Sequence, residues 1–374
     1  MKICRVSQTY PTTTNEGKGL HAYHISNLIK FPTLIITKYY KEKYLKPEDH
    51  IELKKIKYIQ YPFPSNKKYI FKYILAIITY ILGQIEFSIK SIKYIKNFKP
   101  DIIHLQSPHA FLIGLYGKYI GAKVVVTFHG SDLRRVSKNK LFMILLKKFD
   151  SFYYVSNDMK PILEKYFPNK EVLYTPSGVD TDFFNDVCNL PQREEVLLAV
   201  GNIRWQKDYP TMIKAFNLIY AKYPNYKLKI IGSIIEKKEL KKINNLIKKY
   251  KLEKCIEFLG YKNKCEIREY MSKSKLLLLS SITEGMPKVI LESFSCKLPV
   301  IATDVGECRL IINNSGVVVE KLNFEELAKN VNNLLADEVL YKKLLNNIKD
   351  NSSKFSWRNN AARLNKYYEE ILEC

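Results

Sequence analysis

The chain has 374 residues, 46% hydrophobic and 26% charged. That length exceeds one ordinary core and that balance excludes a disordered, fibrous or low-complexity protein, so two globular domains are expected. The formal charge is +24, from 29 basic against 15 acidic residues in 1–190 and 32 against 22 beyond, so no single tail carries it; it fits either an anionic partner or a solvated lysine-rich surface.

The chain opens on "KICRVS" (2–7), a strand pattern rather than a signal peptide. Strand-like runs follow near 33–37, 51–60, 101–106, 123–128, 151–155 and 171–174, most of them separated by helical patterns. Residues 67–99 carry seven lysines and one acid, Glu86, among apolar and aromatic positions. A helix of that composition either lies on anionic lipid or is a buried helix with a solvated lysine edge. Its longest uncharged run, 73–85, is too short to span a bilayer.

A polar stretch interrupted by Pro191 (177–195) reads as a linker. Strands resume at 196–201, near 227–232, 256–259, 275–280, 298–302 and 316–319, again alternating with helices. The fold class is therefore α/β, two domains of parallel βα units, with a ligand cleft expected between them. The boundaries are set at 1–185 and 195–354, with an amphipathic helix over 355–374. Seven scattered cysteines without a CxxC pair argue against a disulfide framework or zinc site and for a reducing compartment.

Two stretches carry the chemistry. "TEGMPKVILES" (283–293) follows a strand and leads into a helix. Gly285 lets a ligand approach the backbone, Pro287 suits a first helical turn, and the free N–H groups there can hold an anion or hydroxyls. Glu284 can accept hydrogen bonds from sugar hydroxyls, and Glu292 can do so for a diol such as ribose. The alternative is ordinary helix capping with a surface glutamate. "VGNIRWQKDYPTMIKAF" (200–216) has the same strand–turn–helix form. Gly201 gives room there, and Arg204 and Lys207 can reach a common anion such as a diphosphate, or are two solvated cations.

These two stretches, with "LPVIATDVGE" (298–307), resemble the retaining glycosyltransferases of family 4, which have the GT-B fold. "NEGKGLHAYHISNLI" (15–29), "TFHGSD" (127–132) and "TPSGVDTDFF" (175–184) resemble that family's glycine loop, histidine motif and pre-linker signature. The resemblance implies two Rossmann-like domains and a terminal helix that crosses back to the first. It implies that Arg204 and Lys207 hold the donor diphosphate. Glu284 with Gly285, Met286 and Pro287 would hold the sugar, and Glu292 the ribose. Gly17 and Gly19 would bring backbone to the phosphates and acceptor, and His129 would stand near the reacting sugar. His21, His24, His104 and His109 are read as structural. Many relatives carry arginine where Asn202 stands, so either Asn202 or Arg204 reaches the phosphate. Glu307 stands where a second glycine is common.

Asp180-Thr181-Asp182 matches the D-x-D metal signature of the other large glycosyltransferase fold, but it lies at the linker, where turn chemistry accounts for it. The expectation is a metal-independent retaining transferase without a cofactor. It would move sugar from a UDP- or GDP-type donor to a glycan or lipid-linked acceptor in surface polysaccharide synthesis, on the cytoplasmic face of a membrane. No nucleic-acid recognition motif is found. The alternatives are a nucleotide-sugar epimerase or hydrolase of the same fold, and a non-enzymatic basic protein that binds membrane or RNA.

Overall fold

The computed structural model describes residues 1–12, 19–59, 70–188 and 193–373. The chain forms two compact units, Met1–Pro176 with Trp357–Cys374, and Ser177–Ser356.

The first unit has seven strands: β1 (Ile3–Val6), β2 (Thr33–Lys38), β3 (Ile51–Ile56), β4 (Ile102–Leu105), β5 (Lys123–Phe128), β6 (Ser151–Tyr154) and β7 (Glu171–Tyr174). They run parallel in the order β3-β2-β1-β4-β5-β6-β7. The second has β8 (Val196–Val200), β9 (Lys227–Ile231), β10 (Ile256–Gly260), β11 (Leu276–Leu279), β12 (Val300–Thr303) and β13 (Gly316–Val319). These too are parallel, in the order β10-β9-β8-β11-β12-β13. Central runs such as "IIHL", "LLLL" and "VIAT" are buried throughout because a parallel strand is covered on both faces. Both sheets are doubly wound. Strand order reverses between β1 and β4 in one and between β8 and β11 in the other, and ligands bind outside the carboxyl ends of strands at such points.

The first sheet has two unlike faces. Cys4, Val6, Ile103, Leu105, Val124, Val126 and Phe152 form an apolar core on one. The other mixes Ile3, Ile102 and Val125 with polar Arg5, His104, Thr127 and Tyr153, and packs against the C-terminal helix Trp357–Glu373. His104 shares hydrogen bonds with Thr127 Oγ1 (2.6 Å) and the Tyr368 hydroxyl (2.5 Å). Burial, then the charge of Arg5, hold its pKa well below the usual imidazole value, so the ring is neutral. Arg5, opposite His104 in the β1–β4 register, is fully buried, and its guanidinium has no hydrogen-bond partner among the described residues.

The terminal helix joins the first unit. Asn365 Nδ2 donates to Leu28 O (3.3 Å), and Asn360 Nδ2 donates to Pro176 O (2.9 Å). The first boundary differs from the expected 185. Val179 bridges Ser356 and packs with Phe184 in the second unit's core, and Ser177 N–H donates to Met286 Sδ (3.0 Å). The polar "linker" therefore begins as part of the second unit. Pro191 lies outside the described residues.

The basic stretch also differs from expectation. Its uncharged run is short, but the helix holding it, Ile70–Phe98, is 29 residues long. By length and composition its 74–98 portion is sufficient to cross a membrane. One face nonetheless packs into the first unit: Ala76, Phe87, Ser91 and Ile95 are fully buried. Lys67 and Lys68 lie outside the described residues.

Candidate functional site

Three loops leave the carboxyl ends of adjacent strands β8, β11 and β12 in the second unit. The β8 loop passes Gly201 and Arg204, makes a 3-10 turn over Trp205–Lys207, and enters the helix Tyr209–Lys222 through Asp208. Asp208 holds a left-handed conformation (φ 45°), and its carboxylate accepts from Thr211 N–H (3.4 Å), capping the helix. Burial raises the Asp208 pKa. The β11 loop runs from Ser280 through Glu284 and Gly285 to the helix Lys288–Ser295.

The first two loops are laced together. Ser280 Oγ donates to Lys207 O and Asp208 O, both at 2.9 Å. Ile282 N–H donates to Gln206 O (2.8 Å). At their junction Lys207 Nζ donates to Glu284 Oε1 at 2.6 Å, and Ser281 Oγ donates to the same oxygen at 2.7 Å. The lysine and glutamate side chains are only 12% and 14% exposed. Gly201 makes this possible, because a Cβ there would stand 3.0 Å from Lys207 Cε and crowd the side chain. The third loop clamps the second. Gly306 (φ 56°) leaves no room for a Cβ, which would fall 2.3 Å from Gly285 O, and Glu307 N–H donates to that same carbonyl (2.9 Å). Only glycine fits position 306.

Around this buried ion pair the remaining residues stay reachable. Arg204 is exposed, and its guanidinium makes no hydrogen bond or ion pair with the described residues. Asn202, by contrast, is tied down, its Oδ1 accepting from Ser233 N–H (3.0 Å). Gly285 is exposed and faces open space. Met286 is half-buried against Ser177 N–H. Pro287 stands as the N-cap (φ −74°, ψ 98°), one place before the helix rather than in its first turn. Glu292 is half-buried on that helix. Desolvation raises its pKa, opposed by the charges of Lys288 and Lys264. The arrangement offers an open cation, a lysine–glutamate pair and accessible backbone along one strand-end edge. Those are the elements needed to hold an anion and a polyhydroxylated group side by side.

In the first unit His129 is exposed after β5. Its N–H donates to the Asp132 carboxylate at 2.9 and 3.1 Å, and the His21 ring meets it edge-on at 5.4 Å. His24 stacks on Trp357 at 5.4 Å. Gly19 (φ 75°) precedes the helix Leu20–Asn27 and packs on the backbone of Thr9 and Tyr10. Gly17 lies outside the described residues. Asp180 Oδ1 accepts from Phe183 N–H (3.1 Å), a turn role. Sequence reasoning passed over Ser281, Gly306 and the edge contact of His21 with His129. Ser281 and Gly306 do sit directly at strand ends, which was the available signal.

Known proteins match this chain along most of its length. The family described as "Glycosyl transferases group 1" matches residues 180–355, and "Glycosyltransferase Family 4" matches residues 58–183. An uncharacterized glycosyltransferase of Methanocaldococcus jannaschii is 31% identical over 283 residues, 73% of this chain and 76% of that one. The catalogue of relatives also holds a phosphatidylinositol N-acetylglucosaminyltransferase of Arabidopsis thaliana, 22% identical over 269 residues, 70% of this chain and 59% of the relative. Among solved structures, Anabaena HepE in complex with UDP superposes with a TM-score of 0.72 at 17% identity, covering 100% of both chains. That similarity assigns the two parallel-sheet units to the GT-B fold.

Proposed function

The chain belongs to the family 4 glycosyltransferases, the glycosyl transferases of group 1, and we propose that it is a retaining, metal-independent hexosyltransferase using a nucleotide-diphosphate sugar. The observation that carries this reading is the 2.6 Å convergence of Lys207 and Glu284 at the strand-order reversal, with the Arg204 guanidinium open beside it. The UDP bound by HepE supports a nucleotide donor.

In this reading Arg204 and Lys207 face the diphosphate. As the C1–O bond of the donor breaks, the electron pair leaves with the phosphate, and the two cations offset its growing charge. The acceptor hydroxyl attacks C1 from the same face and passes its proton to the departing phosphate oxygen, so the anomeric configuration is kept. Glu284 orients sugar hydroxyls and, through Lys207, fixes the lysine for its task. Gly285, Met286 and Pro287 supply the backbone against which the sugar rests, and Glu292 takes the ribose diol. His129 and Gly19 serve the acceptor side. The acceptor is a glycan or a lipid-linked saccharide of surface polysaccharide synthesis. The phosphatidylinositol in the name of the Arabidopsis relative supports the lipid class.

The test is to identify a donor by its protection against thermal unfolding, and then to read the product anomer by NMR with and without EDTA. The expected result is the donor's own configuration and a rate unchanged by EDTA. An inverted product, or a rate abolished by EDTA and restored by manganese, contradicts the proposal.

A further inference from the structure

The helix Ile70–Phe98 has a second face that no described residue of the first unit covers. Ile74, Ile78, Ile81, Leu82, Ile85 and Ile89 are between 39% and 64% exposed. At about 100° per residue these six fall within a sector of about 100° on the helix, opposite buried Phe87. The apolar row runs about 22 Å along the axis at 1.5 Å per residue. The same sector then changes character: its next members are Ile92, Lys96 and Lys99, with Lys93 at its margin. Lys96 and Lys99 line a groove with Tyr116, Tyr119 and Lys123, and Tyr119 is 86% exposed. A contiguous apolar stripe of this kind on an exposed surface marks a docking face.

We propose that this face docks the first unit, in plane, on an anionic lipid bilayer. The Ile/Leu row would enter the acyl boundary, with Lys93, Lys96 and Lys99 among the headgroups. Charge complementarity selects this occupant. Residues 1–176 with 357–374 hold 32 basic and 15 acidic side chains, a charge of +17. Two copies meeting through this face would bring like charges together, whereas an anionic surface neutralises them. The helix lies on the membrane rather than crossing it, because its other face is committed. Phe87, Ser91 and Ile95 are fully buried, Glu86 accepts from Ile59 N–H (2.8 Å), and Lys90 donates to Lys57 O (2.9 Å). The basic stretch recognised in the sequence thus works in two parts, an apolar segment that inserts and a lysine end that attracts.

The experiment is sedimentation of the full chain with phosphatidylcholine vesicles and with mixed phosphatidylcholine–phosphatidylglycerol vesicles, at low and high salt. The wild type is expected on the mixed vesicles, with salt weakening it. Ile78→Glu with Leu82→Glu is expected to cut binding at least about tenfold at either salt. Lys93→Gln, Lys96→Gln and Lys99→Gln together are expected to cut it about tenfold on mixed vesicles at low salt, with little change on neutral ones. These positions are exposed, so melting curves should match wild type. Ile81→Trp supplies a check free of charge changes, since its emission should shift to the blue on mixed vesicles. No binding by the wild type, undiminished binding by the Ile78/Leu82 variant, or no shift from Ile81→Trp overturns the proposal. So does light scattering that shows a dimer, broken by the Ile78/Leu82 variant, in a chain that ignores vesicles.

Discussion

The two units share one winding scheme and use it differently. In the second, polar groups gather at strand ends: Lys207, Ser281 and Glu284 lie just past β8 and β11, and the sheet between is apolar. In the first, polar groups run into the sheet itself. Arg5, His104, Thr127 and Tyr153 are buried beneath the C-terminal helix, and the unusual exposed feature is an apolar helix face on Ile70–Phe98. The contrast separates two meanings of a buried polar residue. His104 is fully bonded and neutral, so it organises packing. Lys207 and Glu284 are a charged pair at the open end of a sheet, where the same side chains can exchange partners with a ligand. The charge divides the same way, +17 on the unit with the apolar face and +7 on the other.

Breaking the second unit's ion pair should have the largest effect. Lys207→Ala and Glu284→Gln are each expected to lower kcat about 100- to 1000-fold, the range for losing a preorganised charge contact. Vesicle binding should be untouched. Glu284→Gln keeps a hydrogen-bonding oxygen for Ser281 and Lys207, so its melting temperature should stay near wild type. Wild-type turnover in either variant removes the pair from the mechanism.

A smaller effect sharpens the comparison. Desolvation raises the pKa of Glu292, so the folded chain binds its proton more tightly than the unfolded chain. The resulting stabilisation is complete below the ordinary carboxylate pKa and is lost as pH rises through the raised folded value. Glu292→Gln should therefore melt at or above wild type at pH 7.5, with the difference shrinking toward about pH 4. Donor affinity should fall in the same variant. A lower melting temperature at neutral pH would mark Glu292 as a stabilising partner of Lys288.

Most of the fold was legible because parallel strands are short, apolar and evenly interleaved with helices, so period alone located the thirteen described strands. The unit boundary was not, because polarity marks exposed chain and not which core a segment joins; Val179 and Phe184 settle that by packing. In the site, Gly201, Lys207 and Glu284 were readable as strand-end residues. Their direct pairing was not, since residues 77 apart meet only through the strand order β8-β11. Pro287 sits one place earlier than its helix-starting habit suggested. The apolar face of Ile70–Phe98 was hidden because a buried stripe and an exposed one look alike until the sheet takes its side.

The central claim is that the strand-end loops of the second unit hold a nucleoside diphosphate. Calorimetric titration with UDP, UMP, GDP and GMP, on wild type and Arg204→Ala, tests it directly. The account predicts that the wild type binds one diphosphate at least about tenfold more tightly than its monophosphate. It also predicts that Arg204→Ala erases most of that difference while monophosphate binding holds. Equal affinity for diphosphate and monophosphate in the wild type, or a preference that survives in Arg204→Ala, would contradict it.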